Sequence, residues 1–398
     1  MIMSTHWIDP HFVTGPVARG RNFYLRNDIV EDIWAELRKG NSVQLAAPRR
    51  VGKTSVMQYM EEHPIENYKL IFQDLEGVKS ASELFERIYT LLLNCLNTTT
   101  KAKKWLDNFK NTTSITKIGL DGIEFGDKPT DFLKAINALL IEINKNQDIE
   151  NIILLLDELP DVLFKIHNKQ SEDAISILKN LRYWRQQPEM NKKVHFVLAG
   201  SVGMYYVVNI IDNRSADLND LAVIDFKPLS GKEALNYIDW ATKDASVTYS
   251  KKLKQYLLDK IHYFVPYFIN LLLDEINKQA KKANNTKITT ESIDFAFDTV
   301  VKHSDHFKDW KKRLQDYMPS VDFDFVNEIL IHASHKGCIT LQEIYDKAIK
   351  YAKTADYMDF ISDLEKDGYV IEFEKDTYRF ISPFLSAFWK RNNPIYHS

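Results

Sequence analysis

The chain has 398 residues, 44% of them apolar, enough to bury a core in each of about two to three domains. Its 52 basic and 55 acidic residues leave a formal charge of −3, which excludes a strongly basic chain that coats nucleic acid and leaves room for a local basic surface. Cys95 and Cys338 stand far apart with no companion at metal-ligand spacing, so neither a disulfide framework nor a zinc site is expected, and a reducing, cytoplasmic location is.

In chain order, MIMSTHWIDPHFVTGPVARG lacks the basic-then-apolar order of a secretory signal. Apolar runs such as FVPYFINLLL, residues 264 to 273, are too short to cross a bilayer, so no membrane partner is expected. In DIVEDIWAELR, residues 28 to 38, Ile29, Ile33, Trp34 and Leu37 fall on one helical face. SVQLA, residues 42 to 46, reads as a strand, and the loop after it opens a helix carrying Val56, Met57 and Met60. Further short strands are expected at KLIFQDL, NIILLLDE, VHFVLAGS and LAVIDF, with helical periodicity between them over 78 to 95, 129 to 144 and 172 to 187. That alternation predicts an α/β core whose mostly parallel sheet is covered on both faces. SITKIGLDGIEFGD, residues 114 to 127, has Asp121-Gly122 between two β-like runs and reads as an inserted hairpin.

From Pro228 onward the pattern becomes almost wholly helical. Past KHSDHFKDWKKRLQDYMPS, helices are expected near 322 to 334, 340 to 352 and 354 to 367, then YVIEFEKDTYRFIS, which is the order of a winged helix. The expected domains are therefore a core over residues 1 to 227, a helical lid over 228 to 318 and a winged helix over 319 to 398.

The chemistry concentrates in APRRVGKTS. A phosphate-binding loop aims backbone N–H groups and a helix N-terminus at phosphates, its Lys reaches the outer phosphates and its Thr ligates magnesium. Ala47, Pro48, Arg49, Arg50, Val51, Gly52, Lys53, Thr54 and Ser55 fill those positions, with Ala47 where the common pattern has glycine. A small side chain is tolerated at Ala47 if its backbone stays in an ordinary region. Gly52 is expected because a side chain there would obstruct the approach of backbone to phosphate. NIILLLDELPD supplies Asp157 at a strand end to hold Mg2+ and Glu158 to polarise water, the competing reading being a helix cap. Ser201, after VHFVLAG, is positioned to sense the outer phosphate, unless it is turn chemistry alone. Arg182 and Arg185 precede that strand on a helix, where they would reach a neighbouring subunit's nucleotide or form an ordinary solvated face.

APRRVGKTS, the LLLDE strand, the following AGS and the final YRFISPFLSAFW resemble the archaeal-type ATPase family, near the AAA+ and STAND branches of P-loop ATPases, over nearly the whole chain. The resemblance implies an AAA+-like P-loop NTPase core, a helical lid and a winged helix, with ATP or ADP and Mg2+ bound between core and lid. It also implies that Arg26, in FYLRND, lies near the nucleotide, and that Pro266 packs on adenine, although Phe264-Val265-Pro266 stands where the pattern has Gly-x-Pro. The function it implies is a nucleotide-operated switch with slow hydrolysis, coupled to a protein partner or to self-association in signalling or defence. The alternative is a DNA-binding ATPase similar to origin-recognition or transposition proteins. Against that alternative, the third helix of the winged module carries Asp356, Asp359, Asp363, Glu365 and Asp367 with a single Lys366, where a groove-entering helix needs cations.

Overall fold

Residues 7–96, 115–119, 122–125, 131–200, 204–212, 215–303 and 305–396 are described by a computed structural model. They divide into two compact units. One comprises Arg26–Ala46 and Lys53–Phe226. Here β1 (Val43–Ala46), β2 (Tyr68–Asp74), β5 (Asn151–Asp157), β6 (Val194–Leu198) and β7 (Ala222–Asp225) form a five-stranded parallel sheet in the order β2-β5-β6-β1-β7. The near-continuous apolar run of β5 follows from that central place, since every residue from Ile152 to Asp157 is buried.

Helices α1 (Asn27–Arg38), α2 (Lys53–Glu62), α3 (Ala81–Leu96), α4 (Phe132–Lys145), α5 (Leu159–His167), α6 (Ser171–Gln186) and α7 (Met204–Asp212) alternate with these strands. Their apolar stripes are buried, as with Ile29, Ile33, Trp34 and Leu37 of α1. The inserted hairpin is present as antiparallel β3 (Ile115–Gly119) and β4 (Gly122–Phe125), with Gly119 opposite Gly122; residue 121 of the expected turn lies outside the described residues.

The second unit contains the segment up to Leu25, the loop Ala47–Gly52 and everything from Lys227. It begins with α8 (Gly231–Ala241), α9 (Lys251–Ile261), α10 (Pro266–Ala283), α11 (Thr290–Lys302) and α12 (Asp305–Tyr317). It continues with α13 (Ser320–Lys336), β8 (Ile339–Thr340), α14 (Leu341–Lys350), α15 (Tyr357–Lys366), β9 (Val370–Glu374), β10 (Thr377–Phe380) and α16 (Pro383–Asn392). The three strands pair antiparallel in the order β8-β10-β9. Capping boxes at Ser230/Glu233 and Thr340/Glu343 set the starts of α8 and α14, and Pro266 occupies the first turn of α10.

Two groupings differ from the expected domains. The amino-terminal segment joins the helical unit because His11 N–H donates to Ala241 O at 3.0 Å, the Asn270 amide donates to Val13 O at 3.0 Å and Trp7 Nε1 donates to Asn277 Oδ1 at 3.1 Å. The helices expected as a lid and the module after residue 319 share one core, in which Phe384 of α16 stacks on Phe268 of α10 at 5.9 Å and on Phe307 of α12 at 5.8 Å. Tyr369 Oη adds a hydrogen bond to Trp310 O at 2.8 Å. Among the described residues no helix is long and apolar enough to cross a membrane, and both cysteines are free thiols.

Glu328 on α13 ties the carboxy-terminal helices together. Burial alone would raise its pKa, but hydrogen bonds from Lys350, Tyr351 and Lys347 outweigh burial and hold the carboxyl at about 2. A depressed carboxyl contributes stability above its unfolded pKa and loses it as pH falls through the folded value. Glu328→Gln is therefore expected to cost about 1–2 kcal/mol at pH 7, water on one side of the carboxylate reducing the full effect. The gap from wild type should narrow between pH 5 and pH 3. Urea unfolding at stepped pH checks this, and a gap that stays constant contradicts it.

Candidate functional site

Strand β1 ends at Ala46, the loop Ala47–Gly52 follows, and α2 opens at Lys53. Ala47 has no positive φ, so alanine is accommodated there without strain. Gly52 has φ of +107°, and a Cβ built on it meets nothing within 4 Å. Conformation of the backbone, and not lack of space within the protein, is what demands glycine at that position. Arg50, at φ 65°, is also left-handed.

Thr54 Oγ1 donates a 2.5 Å hydrogen bond to Asp157 Oδ2, linking residues 103 apart in sequence. Asp157 is 3% exposed and its other oxygen accepts from Glu158 N–H at 3.0 Å. Burial pushes the Asp157 pKa up, the Thr54 hydrogen bond opposes it, the Glu158 charge adds to the rise and the Lys53 charge lowers it. Lys53 itself is 7% exposed. The Asp157 carboxylate and the Thr54 hydroxyl offer oxygen atoms of the kind a hard cation such as Mg2+ takes, while the nearby Lys53 charge suits an anionic group. Among the described residues, here as elsewhere, no group of three or more His, Cys, Asp or Glu is placed to hold a metal.

Glu158 takes a left-handed conformation, φ 57° and ψ 25°, where the chain turns from β5 into α5. That conformation costs a non-glycine residue on the order of 1 kcal/mol or more. Its side chain makes no capping hydrogen bond to α5, so the helix-cap reading has no bond to rest on. The adjacent strand end is packed just as closely. A Cβ on Gly200 would lie 2.3 Å from Pro160 Cδ and 2.6 Å from Pro160 Cγ, so glycine is required where β6 leaves the sheet. That contact with Pro160 is tertiary, and no local sequence signal shows it. Ser201 lies outside the described residues.

The two helix arginines differ: Arg185 is held inside this fold, whereas the Arg182 side chain stays partly exposed. The Arg185 side chain is 2% exposed, bonds Asp220 through Nε at 2.7 Å and Nη2 at 3.0 Å, and donates to Asp217 O at 2.7 Å. Arg182 pairs with Asp217 Oδ1 at 3.1 Å. A residue completing a neighbour's site needs an exposed guanidinium, so Arg185 corrects that expectation: its charge serves this fold. Arg26 is buried before α1, ion-paired with Asp28 at 2.9 Å, with its guanidinium 5.8 Å from the centre of the Phe226 ring.

In the second unit, the loop is gripped by residues that sequence spacing gave no means of finding. The Arg50 guanidinium sits 5.0 Å from the centre of the Tyr267 ring and its Nη1 donates to Gly15 O at 3.2 Å. Pro48 lies so close to Gly368 that a Cβ on that glycine would come within 2.6 Å of Pro48 Cβ. Pro266, expected on adenine, sits one residue before Tyr267 at the start of α10.

A sequence model of the AAA-like domain family matches residues 12–318. In fold the chain is similar to a Walker-type ATPase of Pyrococcus abyssi, with a TM-score of 0.63 and 15% identity over 95% of this chain and 99% of that one. It is also similar to the ORC2 protein of Aeropyrum pernix, solved as ADPNP–ADP complexes, with a TM-score of 0.52 and 11% identity over 96% of this chain and 95% of that one. The comparison with curated proteins found no match.

The Arg185 geometry yields a stability prediction. Arg185→Ala leaves the Asp220 carboxylate and the Asp217 carbonyl without their donor, and is expected to cost about 3 kcal/mol or more. Chemical denaturation measures it. A loss under about 0.5 kcal/mol, the size usual for a surface residue, would contradict the buried pair.

Proposed function

The chain belongs to the AAA-like domain family and has the α/β fold of archaeal-type AAA+ P-loop ATPases, and from that premise we propose that it is an ATP-operated switch with slow hydrolysis, read by a protein partner or by self-association. The observation that carries this reading is the Thr54–Asp157 hydrogen bond, which brings together the hydroxyl and the carboxylate a phosphate-bound cation needs. Backbone N–H groups of the loop through Gly52 and the N-terminus of α2 receive the phosphates, and Lys53 meets their outer charge. Thr54 and Asp157 would hold magnesium, which when bound neutralises phosphate charge. Glu158 accepts a proton from the attacking water, its left-handed backbone fixing where the carboxylate emerges.

Residues 228 to 318 act in this reading as a lid that responds to whether ATP or ADP is bound, and residues 319 to 398 as a winged helix that passes the state on. Signalling or defence is the proposed setting and the cytoplasm the proposed location. A DNA-reading role is disfavoured by residues 354 to 370, around α15, where Asp356, Asp359, Asp363, Glu365 and Asp367 accompany a single cation, Lys366.

Two variants test the reading from opposite sides. Lys53→Ala removes the charge that meets the outer phosphates and should weaken Mg-ATP binding about 100-fold or more by calorimetry. No heat from wild type, with the variant indistinguishable, would sink the proposal. Glu158→Gln keeps the shape without the base, so Mg-ATP should bind as in wild type while phosphate release falls about 100-fold or more. Unchanged turnover would assign the water to another group.

A further inference from the structure

The carboxy-terminal module presents to solvent a strip that its own core does not use. Tyr345 and Ile349 stand one turn apart on α14, 39% and 59% exposed. The Tyr345 ring meets the Tyr357 ring of α15 edge-on at 5.4 Å, which carries the strip from one helix to the next. Beyond it, the Tyr378 phenol is held above its usual pKa by burial and then by the charges of Glu372, Glu365 and Asp376, with Tyr357 also adjacent. Glu365 is fixed against the strand, accepting from Glu372 N–H at 3.0 Å. An apolar strip thus runs into a negatively charged edge.

Over residues 339 to 382 carboxylates outnumber cations ten to six, Lys366 and Lys375 included, and the other four cations are engaged away from the edge carboxylates. Lys347 and Lys350 bond Glu328 at 3.2 and 2.7 Å, Lys353 bonds Asp322 at 2.5 Å, and the Arg379 guanidinium lies 4.7 Å from the centre of the Phe373 ring. The strip therefore keeps its negative field, which repels nucleic acid and attracts a basic partner. Two apolar side chains spaced by one helical turn, bordered by carboxylates, complement a segment with the inverse pattern.

We propose that this face docks a basic amphipathic helix of a separate partner protein, whose apolar side chains cover Tyr345 and Ile349 and whose Lys or Arg residues meet Glu365, Glu372 and Asp376. The inference rests on reading the module as the switch's output, but its test needs no nucleotide, so failure of one reading is distinguishable from failure of the other.

The probe is a fluorescein-labelled helix of two Lys-Leu-Leu-Lys-Lys-Leu-Leu repeats, compared by anisotropy with a scrambled peptide of the same composition and with duplex DNA. Full-length wild type should bind the amphipathic peptide with a Kd of about 10–100 µM, at least tenfold tighter than the scramble and more weakly at high salt. The exposed pair replaced as Tyr345→Ser with Ile349→Ser should remove the tenfold preference while leaving the unfolding midpoint unchanged. Equal binding of the scramble, or an unaffected double variant, overturns the proposal. So does duplex DNA binding that the double variant abolishes. A rise of wild-type mass with concentration that the same variant cancels would assign the face to a second copy and overturn it as well.

Discussion

A single hydrogen bond, from the hydroxyl of Thr54 to the buried carboxylate of Asp157, sets the requirements that the sheet unit meets. Asp157 is the last residue of β5 and Thr54 lies in the first turn of α2, after the loop from β1; β1 and β5 are not neighbours, because β6 runs between them. The bond therefore forms only when three strands are in register, with Val43 opposite Val197 and Leu156 opposite Leu198. Desolvation pushes the Asp157 pKa up, an unfavourable state for an isolated carboxylate and a useful one beside a cation.

The same crowding explains the neighbouring features. With Leu159 N–H bonded to Ala199 O at 3.2 Å and Ala199 N–H bonded to Leu156 O at 2.9 Å, the ends of β5 and β6 stay closely paired beyond the strands. Only glycine fits at residue 200 against Pro160, and Glu158 must turn through a left-handed conformation. Farther from the site, the buried pair of Arg185 with Asp220 fixes the segment that precedes β7 to α6. Backbone strain at Glu158 and desolvation of Asp157 thus fall on adjacent residues, a combination that supports the proposed site.

Much of this was legible before any coordinates. The continuous apolar run of NIILLLD marks a strand buried on both faces, and GKT after SVQLA marks a strand, loop and helix in the order phosphate binding needs. What periodicity could not reveal was tertiary. Arg185 looks like half of a solvated helical pair until Asp220, from a later segment, is placed against it. His11 and Val13 carry no local signal for joining helices that begin after residue 230, since their bonds are backbone to distant partners. The grip on the loop through Tyr267 and Gly368 joins positions more than 200 residues apart, beyond the reach of spacing. At Gly52 the residue pattern offered only the approach of backbone to phosphate as a reason for glycine; the positive φ is a second one that no spacing shows.

The central claim is that Thr54 and Asp157 act together as one cation position. A double-mutant cycle measures this directly: ATP affinity with Mg2+ and with EDTA, by calorimetry, for wild type, Thr54→Ala, Asp157→Asn and the pair. The account predicts that magnesium strengthens ATP binding in wild type, that either single change removes most of that gain, and that the double change removes no more than the worse single one. An Mg2+ effect that survives intact in Asp157→Asn would contradict it.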